Sequence, residues 1–185
     1  FQRDSEGSDL NRPKLVKGPD ILLAILLLLK KKEVPFHVLL AGPRRHWLIS
    51  QLREHQLPFS YAGTETQRDD IEVNTLSRED IAALYKAVGL YLISSRSEGG
   101  PRAVLEASAA RVPLIAPPVG HVQDILQPGC IFDSIENAAR MIEDHVRNRT
   151  LDGFLELHLE RVLQSHSEQS VLGSFSELYR QIVPA

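Results

Sequence analysis

The sequence predicts an α/β domain in which helices cover both faces of a parallel β-sheet. The first observation is a continuous apolar stretch, FHVLLA at residues 36–41, which ends at Gly42 as buried parallel strands do. The second is the alternation of such short strands with stretches of helical spacing along the chain. Because ligands of parallel sheets lie beyond the carboxyl ends of the strands, we expect the functional residues in the loops that follow strands.

Apolar periodicity, glycine and proline positions and one helix cap divide the chain into elements. Gly18, Pro19 and Asp20 open the first helix, and Ser77 with Asp80 three residues later forms a capping-box pattern. Strands are predicted at residues 36–41, 59–63, 71–73, 88–94, 114–116 and 130–132, with residues 1–3 as the end of a further strand. Helices are predicted at residues 18–32, 44–56 and 77–87, after 101, after 120 and throughout from 134, with polar loops at 4–17 and 64–70.

Composition and charge exclude several classes of function for this chain. The chain has 185 residues, which we interpret as one domain, and its formal net charge of −3 provides no basic surface for nucleic acid. Cys130 is the only cysteine, so an internal disulfide and a thiolate zinc cluster are both impossible. No His, Asp and Glu set has metal-ligand spacing, so we expect no metal. The apolar run at residues 21–29 is too short to cross a bilayer, which favours a buried helix over a short interfacial anchor.

The stretch SSRSEGGPRAVLEASAARVPLIA at residues 94–116 carries most of the chemical information. It predicts a strand end, a polar glycine turn, a helix and a second strand. Gly99 and Gly100 let the backbone approach a ligand, and Pro101 suits the first helical position, where its missing N–H costs nothing. The amides that follow would face an anion or a hydroxyl-rich ligand. Taken alone, the pattern also fits an ordinary strand–turn–helix in which Glu98 and Glu106 are solvated.

The complete string resembles the signature S-x-x-E-G-x-P-x-x-x-x-E-A-x-A-x-x-x-P of retaining GT-B glycosyltransferases with the E-x7-E motif, the group 1 family. The resemblance extends from about Lys14 to Tyr179 and implies a Rossmann-like fold, the C-terminal donor-binding domain of such an enzyme. One departure is Arg111, where the family usually has glycine. A non-glycine residue adopts the left-handed conformation there only at some energetic cost, so the end of the helix is in question.

The same resemblance implies roles for individual residues. Glu98 and Lys17 are the catalytic candidates, because Glu98 would bind the sugar hydroxyls and Lys17 would stabilise the leaving diphosphate. Glu106 would accept hydrogen bonds from the ribose hydroxyls. An arginine should assist Lys17, and the sequence leaves Arg3 and Arg12 as alternatives. The other implied contacts are Gly99, Gly100 and Arg102 for the diphosphate and Asn74, Thr75 and Leu76 for the base.

The histidines offer weaker candidates. His121 follows the glycine loop at residue 120 and is a candidate for substrate contact, and His46 is a less favoured one. A loop residue without a chemical role is the alternative for His121. His145, His158 and His166 fall on late helices, where we expect them to be solvated.

The resemblance implies that residues 1–185 are the C-terminal half of a two-domain enzyme, with the N-terminal acceptor domain outside this sequence. The full enzyme would transfer a hexose from a nucleotide diphosphate sugar to a glycan, lipid or small-molecule acceptor with retention, in polysaccharide or glycoconjugate biosynthesis. It would need no cofactor. It would be cytoplasmic, with peripheral contact at the inner membrane face left open. The alternatives are a non-enzymatic nucleotide-sugar binding module or degenerate homologue, and a flavodoxin-like or receiver-like domain.

Overall fold

A computed structural model describes residues 4–6 and 9–182 of the chain. The strands are β1 (Ser5–Glu6), β2 (Asp9–Pro13), β3 (Val38–Ala41), β4 (Phe59–Ala62), β5 (Tyr91–Leu92) and β6 (Leu114–Ile115). The helices are α1 (Pro19–Lys31), α2 (His46–Glu54), α3 (Ile71–Asn74), α4 (Arg78–Ala87), α5 (Arg102–Ala109), α6 (Val122–Ile125), α7 (Ile135–Asn148), α8 (Leu155–His166) and α9 (Glu168–Ile182).

The central strands form two parallel pairs. In one pair β3 runs beside β4, with Val38 opposite Phe59, and in the other β5 runs beside β6, with Tyr91 opposite Leu114. A single parallel bridge between Ala116 and Ile131 extends the second pair. Parallel pairs separated by helices are what the alternation in the sequence predicts, and the α/β, Rossmann-like class is therefore confirmed.

Helices pack on these strands and bury a continuous apolar core. Helix α1 packs against α7, and α5 packs against α8. Helix α1 is apolar on most sides and buries Ile25 and Leu29 almost completely. Strand residues such as Ile93, Leu114 and Ile115 are also buried, as expected for strands covered on both faces.

Most predicted elements are present, with shorter bounds. The Ser77 capping box is confirmed, since the Asp80 amide donates to Ser77 Oγ at 3.0 Å and the Ser77 amide to Asp80 Oδ2 at 3.3 Å. Arg111 has a φ of 54°, so the departure from glycine is accommodated by a strained left-handed residue. Helix α5 begins one residue later than predicted, because Pro101 is its extended N-cap rather than its first residue.

Four assignments are wrong or lie outside the described residues. Residues 71–73 form helix α3 rather than a strand, because the amides of Asn74 and Thr75 donate to the carbonyls of Asp70 and Ile71 and close a helical turn. The predicted strand at 130–132 is reduced to the Ile131 bridge, since Pro128–Cys130 form a 3₁₀ turn. Part of the predicted polar loop at 4–17 is an antiparallel hairpin of β1 and β2. The strand end predicted at residues 1–3 lies outside the described part.

The predicted absence of a membrane span concerns α1 in particular. Within residues 4–6 and 9–182, no helix combines the length and the apolar character needed to cross a bilayer. The apolar run at 21–29 lies inside α1 and contributes to the core, which confirms the buried-helix interpretation.

Candidate active site

The centre of the site is an ion pair between two residues far apart in the sequence. Lys17 Nζ lies 2.6 Å from Glu98 Oε1, and Ser95 Oγ donates to the same oxygen at 2.8 Å. The two charged side chains keep 28% and 14% of their surface exposed. A charge pair that is partly open to solvent can exchange partners with a ligand, whereas a fully buried pair cannot do so without a large desolvation cost.

A close backbone approach brings Lys17 to Glu98. Gly18 follows Lys17 with a φ of 61°, and a Cβ placed there would lie 1.8 Å from the Ser94 carbonyl oxygen. Ser94 Oγ in turn donates to the Lys17 carbonyl at 3.2 Å. Only glycine combines a positive φ with this contact, so the Lys-Gly sequence is required for the segment before α1 to reach the end of β5.

A second ion pair holds the same two segments together. Both Nη atoms of Arg96 bind the Asp20 carboxylate, at 2.7 and 2.6 Å, and the Arg96 amide donates to the Val16 carbonyl at 2.9 Å. The Arg96 guanidinium keeps the pKa of the Asp20 carboxyl below its usual range. The sequence analysis did not identify this pair. Its only signal is an arginine inside the motif and an acid in the first turn of α1.

The glycine turn before α5 is open on its outer side. A Cβ at Gly99 would meet no heavy atom of the described residues within 4 Å. The inner side is closed, since a Cβ at Gly120 would lie 2.8 Å from the Gly99 carbonyl oxygen, and one at Gly100 would lie 2.9 Å from His121 Nδ1. Two loops therefore pack backbone to backbone under the turn, and the exposed Gly99–Gly100 backbone and Arg102 face solvent beside Glu98.

Glu106 lies on the exposed face of α5 and contacts α4. Its Oε2 accepts a hydrogen bond of 3.0 Å from the hydroxyl of Tyr85, a residue only 2% exposed. Tyr85 packs on Tyr91 with ring centroids 5.2 Å apart, and burial raises the pKa of both phenols, to about 12 for Tyr91. Tyr85 therefore remains a donor at neutral pH and fixes the carboxylate. In the sequence, the only signal for Tyr85 is its position within the helix predicted at residues 77–87.

The remaining diphosphate candidates are placed less centrally. Arg12 is exposed on β2, Arg102 is exposed in the first turn of α5, and Arg3 lies outside the described residues. The choice between Arg3 and Arg12 stays a prediction.

The segment predicted to contact the base, residues 74–76, makes hydrogen bonds to neighbouring parts of the chain. Asn74 is 3% exposed, and its amide nitrogen donates to the Thr64 carbonyl and to Asp70 while its oxygen accepts from the Thr64 amide. Thr75 Oγ1 donates to the Ile71 carbonyl, and Leu76 is half-buried. The Asn74 side chain thus has a structural role at both polar ends, and the base contact of residues 74–76 stays a prediction.

Two histidine assignments are corrected. His145 and His158 are buried rather than solvated, with exposures of 3% and 2%, because α7 and α8 turn these faces toward the core. His166 is exposed, as predicted. His121 is half-buried beneath the glycine turn, and its ring is tilted against that of His166 with the ring centroids 5.3 Å apart. His46 Nε2 lies 3.0 Å from the Thr66 carbonyl oxygen.

Within the described parts of the chain, no three His, Cys, Asp or Glu side chains come together as potential metal ligands. The polar groups at the ends of the strands are instead two carboxylates, a lysine, exposed glycine backbone and arginines. This arrangement can bind a ligand that carries both hydroxyl groups and phosphates.

Comparison with known proteins agrees with this geometry. The profile described as glycosyl transferases group 1 matches residues 10–151, which contain Lys17, Glu98 and Glu106. No curated protein sequence matches the chain.

Solved structures share the fold at low sequence identity. Sucrose-phosphate synthase from Thermosynechococcus elongatus is 19% identical with a TM-score of 0.68, over 90% of this chain and 42% of that chain. The pneumococcal O-GlcNAc transferase, solved with UDP and GlcNAc, is 18% identical with a TM-score of 0.65, over 91% and 34%. The C-terminal domain of a group 1 family glycosyl transferase from Francisella tularensis is 17% identical with a TM-score of 0.63, over 83% and 81%.

The chain thus spans less than half of the first two proteins and most of the third, which is a C-terminal domain. Family membership also excludes the receiver-like alternative. The family profile, together with the fold and the ends of its strands, shows that the chain belongs to the group 1 glycosyl transferases.

Proposed function

We propose that this domain binds the donor of a retaining glycosyl transfer, a nucleotide diphosphate sugar. The observation that carries the proposal is the partly exposed Lys17–Glu98 pair beside the open Gly99–Gly100 backbone. A diphosphate offers Lys17 a stronger anionic partner than one carboxylate. Glu98 is then released to accept hydrogen bonds from the sugar hydroxyls, and the lysine stabilises the charge that develops on the leaving diphosphate.

Glu106 extends the site toward the nucleoside. Its carboxylate is held by Tyr85 through one oxygen, and the other oxygen is available to the vicinal hydroxyls of a ribose. The uracil nucleotide in the pneumococcal relative supports a nucleotide donor as a class. We assign the base contact to backbone groups near Thr75 and Leu76, since the Asn74 side chain is occupied.

The transferred group is proposed to be a hexose, and the acceptor a glycan, lipid or small molecule in polysaccharide or glycoconjugate biosynthesis. The reaction is proposed to need no metal, since the basic residues supply the phosphate-binding charge.

The acceptor would be bound by an N-terminal domain of the same polypeptide. Helix α9 supports such a partner, because its apolar residues Leu172, Phe175 and Tyr179 are 58%, 54% and 65% exposed. We also propose that the full enzyme is cytoplasmic, including peripheral contact with the inner face of the membrane.

The roles of the two glutamates are tested by calorimetric titration with UDP, GDP and ADP and with their glucose conjugates. Glu106→Gln should weaken binding of the free diphosphate, whereas Glu98→Gln should weaken binding only when the sugar is attached. Each loss should be on the order of 1–3 kcal/mol, because the amide removes charge and one acceptor. Glu156→Gln is the matched control, since Glu156 also forms an ion pair, with Arg111, but on the exposed surface of α8. Equal losses of plain diphosphate binding in Glu98→Gln and Glu106→Gln would contradict this division.

Lys17 is tested with nucleoside against nucleoside diphosphate. Lys17→Ala should cost roughly 1.5–3 kcal/mol for the diphosphate and leave the nucleoside almost unaffected, because one charge-assisted contact is lost. Lys14→Ala serves as a nearby lysine control.

We also expect the 185-residue domain to fold but not to transfer sugar. Turnover after fusion to an N-terminal domain, with none in Glu98→Gln, would separate an enzyme from a non-enzymatic binding module.

A further inference from the structure

A polar cavity lies along one face of helix α2 and is formed by residues other than the donor candidates. Its volume is about 430 Å³, which falls within the range of small-molecule sites. Its walls come from α2, from strand β2 and from the loop that follows β4, and the lining includes Leu10, Asn11, His46, Ile49, Ser50 and Arg53. Among the described residues, none of those assigned to the donor lines it. We refer to this space as the α2 cavity.

Two residues that line the α2 cavity each carry a buried nitrogen atom with no hydrogen-bond partner among the described residues. His46 Nε2 donates to the Thr66 carbonyl oxygen at 3.0 Å, so Nδ1 of the neutral ring is an acceptor, and it is the unpaired atom. Arg45 is 4% exposed; its Nε donates to the Ala41 carbonyl at 2.9 Å, whereas Nη2 is a donor without an acceptor. An unpaired buried donor and acceptor at one cavity favour a ligand that supplies both partners.

The charged side chains of the α2 cavity balance each other. Two arginines, Arg45 and Arg53, line it together with two carboxylates, Glu65 and Asp70. Arg53 and Glu65 form an ion pair of 2.6 Å in which both side chains are largely exposed, and Asp70 already accepts hydrogen bonds from neighbouring residues. An ionic ligand of either sign would meet charges of its own sign, so the balance favours a neutral polar ligand.

A ring that carries several hydroxyl groups matches this lining. A hydroxyl group both donates and accepts, so neighbouring hydroxyl groups can bind the unpaired acceptor and the unpaired donor together. The lining also includes polar side chains that both donate and accept, those of Asn11, Ser50 and Gln67. Its apolar residues Leu10 and Ile49 suit the C–H groups of the same ring.

We propose that the α2 cavity binds one ring of a saccharide, whose hydroxyl groups donate to His46 Nδ1 and accept from Arg45 Nη2. A free sugar and a glycan chain offer the same hydroxyl chemistry, and the experiment below distinguishes them. The site is additional to the donor site, because a different set of residues forms it. The proposal does not rest on the nucleotide-sugar assignment, and the two can fail separately.

The first test is an NMR titration of the isotope-labelled 185-residue domain with the methyl α-glycosides of glucose, galactose, mannose and N-acetylglucosamine. At least one glycoside should shift the amide signals of Ile49, Thr66 and Gln67 in a saturable manner, because these residues line the cavity. A disaccharide of the sugar that binds is then compared with the single ring. Tighter binding of the disaccharide supports the site with a glycan chain as ligand, and equal binding supports it with a single ring.

Variants of His46 test the proposed contact. His46→Leu removes the acceptor and should weaken glycoside binding at least about fivefold, the effect of one lost hydrogen bond. His46→Asn is the rescue variant, because its Oδ1 offers an acceptor near the position of Nδ1, and it should stay within about twofold of the parent. His55→Leu is the matched control, since His55 is the C-cap of the same helix and lies outside the cavity lining.

A second variant keeps the test informative if His46→Leu does not fold. Asn11 lines the same cavity from the exposed strand β2, so Asn11→Ala removes a polar contact with little effect on the core. It should weaken glycoside binding about threefold.

Four outcomes would overturn the proposal. They are the absence of amide shifts with all the glycosides, parent-like affinity in both His46→Leu and Asn11→Ala, shifts confined to Gly99 and Gly100, and tighter binding of inorganic phosphate than of any glycoside at the cavity amides. UDP is titrated into the same samples. Glycoside shifts at the α2 cavity without UDP binding would contradict the proposed function alone, and UDP binding without glycoside shifts would contradict this inference alone.

Discussion

The two strand pairs end in polar rims that have similar residues but use them differently. At the end of β4, Asp70 is buried and accepts hydrogen bonds from the Arg44 amide at 2.8 Å, from Tyr61 at 3.3 Å and from Asn74 at 2.6 Å. At the end of β5, Glu98 pairs with Lys17, and both side chains are partly open to solvent. One rim satisfies its polar groups internally, whereas the other leaves charged groups accessible.

The difference separates a structural carboxylate from a functional one. A buried carboxylate that holds three donors cannot release them without a desolvation penalty, so Asp70 is committed to the fold. A half-exposed pair such as Lys17–Glu98 contributes little to stability and can exchange its partner for a ligand. Four predictions test this comparison, beginning with the largest expected effect.

Gly18→Ala should destabilise the β5 rim most, by roughly 3–5 kcal/mol, because alanine combines a left-handed φ with a backbone clash at the Ser94 carbonyl. Chemical denaturation measures the loss. Gly99→Ala on the same rim is the control, since its Cβ would meet open space, and it should unfold like the parent. Similar losses in both variants would show that the approach of the segment before α1 to β5 is not the critical contact.

Asp70→Ala should destabilise the β4 rim by roughly 2–4 kcal/mol, because it leaves several buried donors without an acceptor. Asp69→Ala is the matched neighbour, since that carboxylate forms an exposed ion pair with Arg44, and its unfolding midpoint should hardly change. Nucleotide binding should be retained in any folded Asp70→Ala protein. A specific loss of binding would mean that this rim is also functional.

Acid should destabilise the fold on the side of the domain that contains β5, through protonation of His158 on α8. Burial lowers the pKa of this imidazole to about 4, and its Nε2 accepts a hydrogen bond from the Gln127 amide at 3.3 Å. The unfolded chain takes up a proton below its ordinary pKa of 6.5, and the folded protein does so only near 4. Stability is therefore fully present above pH 6.5 and falls as the pH decreases from about 6.5 to 4, by about 3 kcal/mol.

Denaturation curves at several pH values, for the parent and for His158→Gln, measure this dependence. The glutamine keeps an acceptor but does not titrate, so its curve should be flatter in that window. The exposed His166→Gln should keep the parent's slope. If His158→Gln also kept that slope, the acid sensitivity would arise elsewhere.

Tyr85→Phe gives the smallest effect and tests how the exposed carboxylates are positioned. It removes the hydrogen bond to Glu106 but keeps the ring that packs on Tyr91, so diphosphate binding should weaken by about 1 kcal/mol. Combining it with Glu106→Gln should cost less than the sum of the two single changes. Full additivity in calorimetric titrations would show that Tyr85 does not act through Glu106.

The sequence alone determined the features that depend on nearby residues. The spacing from Ser95 to Pro113 identified the family, apolar periodicity located α1 and β3, and the Ser77–Asp80 pattern placed a helix start that the structure confirms. Such signals need only a few consecutive residues, because local backbone preferences and helix caps are local interactions. The order of most strands and helices along the chain followed from the same information, but helix α3 and the β1–β2 hairpin did not.

The tertiary structure decided which polar groups face a ligand and which face the core. Lys17 and Glu98 meet across 81 positions, Asn74 turns its amide inward, and His145 and His158 lie on the buried faces of their helices. The segment at 71–73 became helical because the amides of Asn74 and Thr75 bind carbonyls one turn back, those of Asp70 and Ile71, rather than a neighbouring strand. Burial and hydrogen-bond partners depend on which distant elements pack together, and that information is not contained in any short stretch of sequence.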